Sequence, residues 1–221
     1  MERIVPKKEW TVAIRYNHWL MAAAIFFLNV SGFYIAYPVN LSFSDKVTEM
    51  NDIIFWHILA GICLTFLFIW RVYLMFYSRF HADWKDFFAW VKIKNTIKQI
   101  KFYLLISKEP PEHTHLYGPL QSVAYGGLLV MVALIVLTGL ILTGAAGYDA
   151  GLTGFMYMIL RPMERWMGGL AGVRVIHHVL TWGFVLFIVV HMYMAFWYDV
   201  IFKEGTVSSM ISGVVFRKAH K

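Results

Sequence analysis

The sequence predicts an all-α integral membrane protein, a bundle of four transmembrane helices with both termini in the cytoplasm. Three observations predict it. The chain has 221 residues, of which 59% are hydrophobic and only 15% charged, more apolar than a soluble domain of this length needs. Its apolar residues gather into four runs, 16–37, 53–70, 119–148 and 175–198, and none of these holds Asp, Glu, Lys or Arg. Its basic residues divide unevenly among the segments between the runs. No tandem repeat or low-complexity stretch interrupts the pattern, so residues 1–221 read as one membrane domain.

Each run reaches the length of about 18 residues with which a helix crosses roughly 30 Å of hydrocarbon. The spans are expected at about 16–37, 53–75, 119–146 and 175–198. The first is too long for the core of a signal peptide and lacks a following cleavage site, so it is expected to remain as an anchor. A short polar loop, 38–52, joins spans one and two. In the longer connection to span three, Trp90, Ile93, Ile97, Ile100 and Leu104 recur at helical spacing with lysines between them. That pattern predicts an amphipathic helix over about 83–106, lying on the inner membrane surface. Glu109-Pro110-Pro111 then ends it. Before span four, "GFMYMILRPMERWMGGLAG" is apolar for an exposed loop. Two readings stand for it: a segment flat in the outer interface, or a docking surface for a partner.

The net charge of +7 reflects topology rather than a nucleic-acid footprint. With the N-terminus inside, only Lys46, Arg161, Arg165 and Arg174 of the 20 lysines and arginines fall outside. The rest crowd the N-terminal arm, the second connection and the tail, as the positive-inside rule requires. The lipid bilayer is the partner that this distribution implies, and the location is a bacterial inner membrane crossed several times.

The chemistry lies in the histidines. Of nine, His81, His113, His115 and His220 fall in loops or tail, whereas His18, His57, His177, His178 and His191 fall in the spans. Intramembrane ionisable side chains are rare and usually functional, and neutral imidazole is a common metal ligand. Spans two and four run from outside to inside, so His57, His177 and His178 sit near the outer face and His191 towards the inner. His18 opens span one at the inner face. From His177 to His191 a helix turns through about 1400°, within about 40° of four full turns, while from His178 it falls about 140° short. His177 therefore shares a face with His191, about 21 Å along the axis. This spacing suits two stacked flat cofactors better than one ion.

In "RYNH" and "RVIH" an arginine precedes a histidine by three residues at the end of a span, which makes them neighbours on a helix. Arg15 and Arg174 would then pair with porphyrin propionates, or else serve as interfacial anchors. The best chemical reading is two b-type haems with bis-histidine ligation: His57 with His177 outside, His18 with His191 inside. Interhelical hydrogen bonding is the plainer alternative for one such histidine, but four at matched depths on three helices favour haem. His178 is left as a packing or supporting residue. Gly32, Gly61 and Gly183 would give porphyrins room between helices. Cys63 is the only cysteine, which excludes an internal disulfide, a cysteine-held iron–sulfur cluster and a C-x-x-C-H haem attachment in this chain.

"RYNHWL" in span one, "WH" in span two, "RVIHH" then "HMY" in span four, and "SSMISG" in the tail resemble the b-type cytochrome subunit of membrane-bound nickel–iron hydrogenases. The resemblance covers nearly the whole chain. It implies two haem b groups on His18, His57, His177 and His191. It further implies electron transfer from a periplasmic hydrogenase across the inner membrane to a quinone, menaquinone or ubiquinone. The chain would be the quinone-reducing membrane subunit of a multi-subunit hydrogen:quinone oxidoreductase, with hydrogen activation left to its partners. Those partners would be the small iron–sulfur and large nickel–iron subunits on the outer side. The quinone would bind near the inner haem and the start of span three, where "HTHLYGPLQS" offers His115, Tyr117 and Gln121. The formate dehydrogenase cytochrome b subunit shares the plan and is the nearest alternative. A haem-free transporter using intramembrane histidines is the alternative of another class.

Overall fold

The computed structural model describes residues 4–38, 46–77, 93–106, 119–147 and 151–218. In chain order they form β1 (Ile4–Lys8), α1 (Val12–Ala36), α2 (Lys46–Tyr77) and α3 (Ile93–Tyr103). Then follow α4 (Pro119–Ala145), α5 (Gly151–Trp166), α6 (Gly169–Phe202), α7 (Thr206–Ser212) and β2 (Val214–Lys218). Helices α1, α2, α4 and α6 are each long and apolar enough to cross a membrane. Protein buries only 6% of the apolar window in three of them and 22% in α4. Their Phe, Trp, Val and Ile side chains therefore face outward, where only lipid would satisfy them. At 34 residues α6 is about 51 Å long, so it overruns the predicted span at both ends.

Local chemistry starts and stops these helices. The Thr11 hydroxyl accepts the Ile14 N–H at 3.3 Å, an N-cap for α1. Pro119 opens α4, where its missing N–H costs nothing. The next amide, Leu120 N–H, donates to Gln99 Oε1 of α3 at 2.6 Å. Gly168 and Gly169 have φ of 88° and 76°, left-handed values that end α5 and let α6 begin at once.

The chain packs as two compact units built from separate stretches. The first comprises Met1–Trp19, Ile69–Leu129 and Ile188–Lys221. Within it β1 and β2 pair antiparallel, from Ile4 opposite Lys218 to Lys8 opposite Val214. The Gly213 carbonyl accepts the N–H groups of Glu9 and Trp10 at 2.9 and 3.2 Å. Trp10 Nε1–H donates to Ser209 Oγ at 3.0 Å, and Arg217 forms an ion pair with the buried Glu9 at 2.7 Å. Neither strand was expected from the sequence. Their pairing holds the N-terminal arm and the tail side by side. The surface helix expected at 83–106 is helical at α3, while 83–92 lies outside the described residues. Gln99, Phe102 and Tyr103 are buried. The expected apolar stripe at Ile97, Ile100 and Leu104 is exposed, free to meet a bilayer. Burial and the neighbouring Tyr193 push the Tyr103 phenol up to about 12.

The second unit comprises Leu20–Phe68 and Val130–Phe187. Its core joins Ile141 of α4, Leu160 of α5 and Val173 of α6. The apolar segment before span four is thus helix α5, with one face packed on its own bundle. Phe155, Met158, Ile159 and Trp166 remain exposed on it. Tyr157 O–H donates to Glu164 at 3.0 Å, which raises the phenol above its ordinary value.

Candidate haem-ligand sites

In the second unit His57 of α2 faces His177 of α6, with ring centres 6.4 Å apart and planes at 66°. In the first unit His18 of α1 faces His191 of α6, at 6.2 Å and 55°. These are the two pairings that the sequence predicts. A metal–imidazole bond of about 2 Å on each side, with roughly 1 Å more from each nitrogen to its ring centre, gives a separation of about 6 Å. Each pair would leave room for one iron between its rings. Among the described residues no three His, Cys, Asp or Glu side chains converge on one point. A tetrahedral metal ion wants three or four protein ligands; two opposed imidazoles suit an iron whose remaining positions belong to a porphyrin.

Neighbouring His178 points elsewhere. Its ring lies edge-on to Phe33 and Tyr37 of α1, each at 5.9 Å between centres. Phe33 in turn meets Trp182 at 4.8 Å. The helical phase that separates His177 from His178 in the sequence therefore appears in the structure, with His178 in an aromatic packing role.

Hydroxyls adjoin the His57–His177 pair, and the sequence reading missed them. Ser31 Oγ lies 2.8 Å from His57 Nδ1, and Thr138 Oγ1 lies 2.8 Å from His177 Nδ1. Beside them, a Cβ on Gly32 would meet His57 Cε1 at 3.3 Å, and one on Gly139 would meet His177 Cε1 at 3.6 Å. Gly32 thus makes room for a histidine ring. A Cβ on Gly183 would press the Met131 methyl at 3.0 Å, and one on Gly61 would meet nothing within 4 Å.

The His18–His191 pair is tied to the tail. Trp19, whose ring centre is 5.3 Å from that of His18, donates from Nε1 to the Met210 carbonyl at 3.0 Å. Arg15, one turn before His18, donates to the Ile211 carbonyl. Its Nε is buried without a hydrogen-bond partner. Arg174 is exposed, one turn before His177. His115 and Tyr117 lie outside the described residues, and Gln121 stands in the first turn of α4.

Comparison with known proteins gives a family. The family described as prokaryotic cytochrome b561 matches residues 9–213. A protein of Rhodobacter capsulatus named "Probable Ni/Fe-hydrogenase B-type cytochrome subunit" is 28% identical over 212 residues, covering 90% of this chain and 78% of the relative. A Bradyrhizobium diazoefficiens protein of the same name is 29% identical over 211 residues, covering 90% and 82%. The Escherichia coli K12 "Probable Ni/Fe-hydrogenase 1 B-type cytochrome subunit" is 25% identical over 227 residues, covering 100% and 94%.

Proposed function

We propose a function from one premise: the chain belongs to the prokaryotic cytochrome b561 family, and so is a haem-binding, electron-carrying membrane protein. Its role is that of the cytochrome b subunit of a nickel–iron hydrogenase in the bacterial inner membrane. It takes electrons from the small iron–sulfur subunit on the periplasmic side, where the large nickel–iron subunit oxidises hydrogen, and delivers them to menaquinone or ubiquinone. Relatives named as hydrogenase cytochromes support this partner over formate dehydrogenase. The family itself speaks against a haem-free transporter.

The observation that carries the dihaem reading is the pair of facing imidazoles at 6.2 and 6.4 Å. His57 with His177 would hold the outer haem b, and His18 with His191 the inner one. Bound haem supplies reversible one-electron transfer; the chain supplies ligands, orientation and a low-dielectric surround. Arg15 offers a buried, unpaired N–H to an anionic group near His18, such as a propionate. Arg174 sits correspondingly near His177. With the basic connections inside, the paired termini are cytoplasmic. The inner haem then lies beside the start of α4, where His115, Tyr117 and Gln121 are the candidates for binding quinone or delivering protons. Moving one electron inward against 100 mV costs about 2.3 kcal/mol, and proton uptake from the cytoplasm at the same site makes the reaction electrogenic.

The test is haem quantification on protein purified with its partners. Two protohaems per chain are expected, both extractable by acid acetone because Cys63 alone cannot make a thioether attachment motif. Haem-free protein, obtained despite ample haem supply, defeats the assignment.

A further inference from the structure

Two helices present the same dipeptide pattern to the outer histidines. On α1 it is Ser31-Gly32 against His57; on α4 it is Thr138-Gly139 against His177. Each hydroxyl also lies within 2.8 Å of the carbonyl four residues back, Phe27 for Ser31 and Leu134 for Thr138. A hydroxyl has one proton to give. An oxygen–oxygen approach of 2.8 Å to a helix carbonyl needs that proton between them, so it is committed to the backbone. The contact with the ring can then be a hydrogen bond only if Nδ1 carries the proton and the hydroxyl accepts it. Ser31 is 6% exposed and Thr138 is fully buried, so water does not compete for either bond.

We propose that Ser31 and Thr138 are positioning residues that fix both outer histidines in the Nδ1–H tautomer. Nε2 is thereby left as the free lone pair for iron. The inference rests on the assignment of His57 and His177 as haem ligands and adds what selects their ligating atom. Gly32 belongs to the device, because a Cβ there would press on His57 Cε1, the carbon between the two nitrogens, at 3.3 Å, whereas one on Gly139 would only touch His177 Cε1 at 3.6 Å. The ring can therefore reach the hydroxyl without being turned. A hydrogen bond from the distal N–H makes an imidazole a more basic ligand, which favours the oxidised iron and holds the outer reduction potential down.

The experiment compares Ser31→Ala, Thr138→Val and Thr138→Ser in the complex purified with its partners, by redox titration and by electron paramagnetic resonance of the ferric haems. Haem content is measured first. If wild type lacks two haems, or His177→Ala keeps both, the ligand assignment itself has failed and the inference fails with it. With that assignment intact, Ser31→Ala and Thr138→Val should each move one haem to a higher potential and alter one of two low-spin signals. The expected shift is up to tenfold in the reduction equilibrium, 59 mV for one electron, with the second haem unchanged. Thr138→Ser should restore wild-type behaviour. Loss of the outer haem from Thr138→Val, with recovery in Thr138→Ser, supports the same conclusion. Unchanged potentials and spectra in both hydroxyl-free variants would overturn the proposal, as would haem loss that Thr138→Ser does not repair.

Discussion

His177 and His178 are adjacent in sequence, yet they face different neighbours: His57 in one case, Phe33 and Tyr37 in the other. His177→Ala should therefore remove one haem per chain, while His178→Ala should keep both and loosen the packing of α1 on α6. Haem-to-protein ratios of the two variants decide the matter, and the reverse pattern would undo the ligand assignment. The glycines give a finer test. A Cβ at 3.3 Å from His57 Cε1 forces the ring to give way by a few tenths of an ångström, whereas 3.6 Å from His177 Cε1 is ordinary contact. Gly32→Ala should shift the outer haem's spectrum or occupancy, and Gly139→Ala should leave both near wild type. Equal sensitivity at the two positions would show that the rings are not held as described. The pairing of the four histidines was legible in the sequence because helical phase and depth follow from spacing alone. Ser31 and Thr138 were not. Serine and threonine are common in membrane helices and usually bond their own backbone, and only the fold reveals which of them has a histidine across from it.

At the scale of elements, the four apolar helices were legible because length without charge is a nearly sufficient signal in a membrane. Helices α2 and α6 run past both ends of their apolar runs and α1 past its first end, because polar turns continue a helix after hydrophobicity stops, whereas α4 stays within its run. The pair β1 and β2 was illegible: each strand has five residues, and its partner lies some two hundred positions away. Nothing local in "IVPKK" or "VVFRK" announces the other. Helix α5 was half legible, since its sequence said interfacial or docking while the structure packs one face on α4 and α6 and leaves another exposed. Against α4 that junction is close at Gly144, where an added Cβ would overlap the Cβ and Cγ of Tyr157. Those atoms sit close to the backbone of α5 and cannot swing away as a flexible side-chain tip would. Gly144→Ala should therefore cost about 1–3 kcal/mol, the usual range for overpacking. Gly126→Ala, with nothing within 4 Å of the new methyl, should cost little. Thermal unfolding of the two variants in detergent measures the difference. Equal stability would mean that α5 is not packed on α4 as tightly as the close approach requires.

For the whole molecule, the tail bears directly on the inner histidine pair. Residues 4–10 pair with or bond to residues 209–218, and α7 carbonyls hold Trp19 and Arg15 on either side of His18. In the proposed topology four spans would return the two strands to one side, and charge would make that side cytoplasmic. It follows that the two histidine pairs should fail differently when broken. In the proposed orientation the His57–His177 pair faces the electron donor, and the His18–His191 pair faces the quinone site. His191→Ala should leave the outer haem in place and a partner hydrogenase still able to reduce a soluble dye, while hydrogen-to-quinone electron flow falls to background. His57→Ala should also abolish quinone reduction, but with the inner haem retained and still oxidisable by added quinone. Assays of dye reduction, quinone reduction and quinone-driven haem oxidation on the two variants separate the cases. If His191→Ala protein still reduced quinone at a rate near wild type, electrons would be leaving on the outer side. The electrogenic direction would then be wrong even with both haems correctly placed.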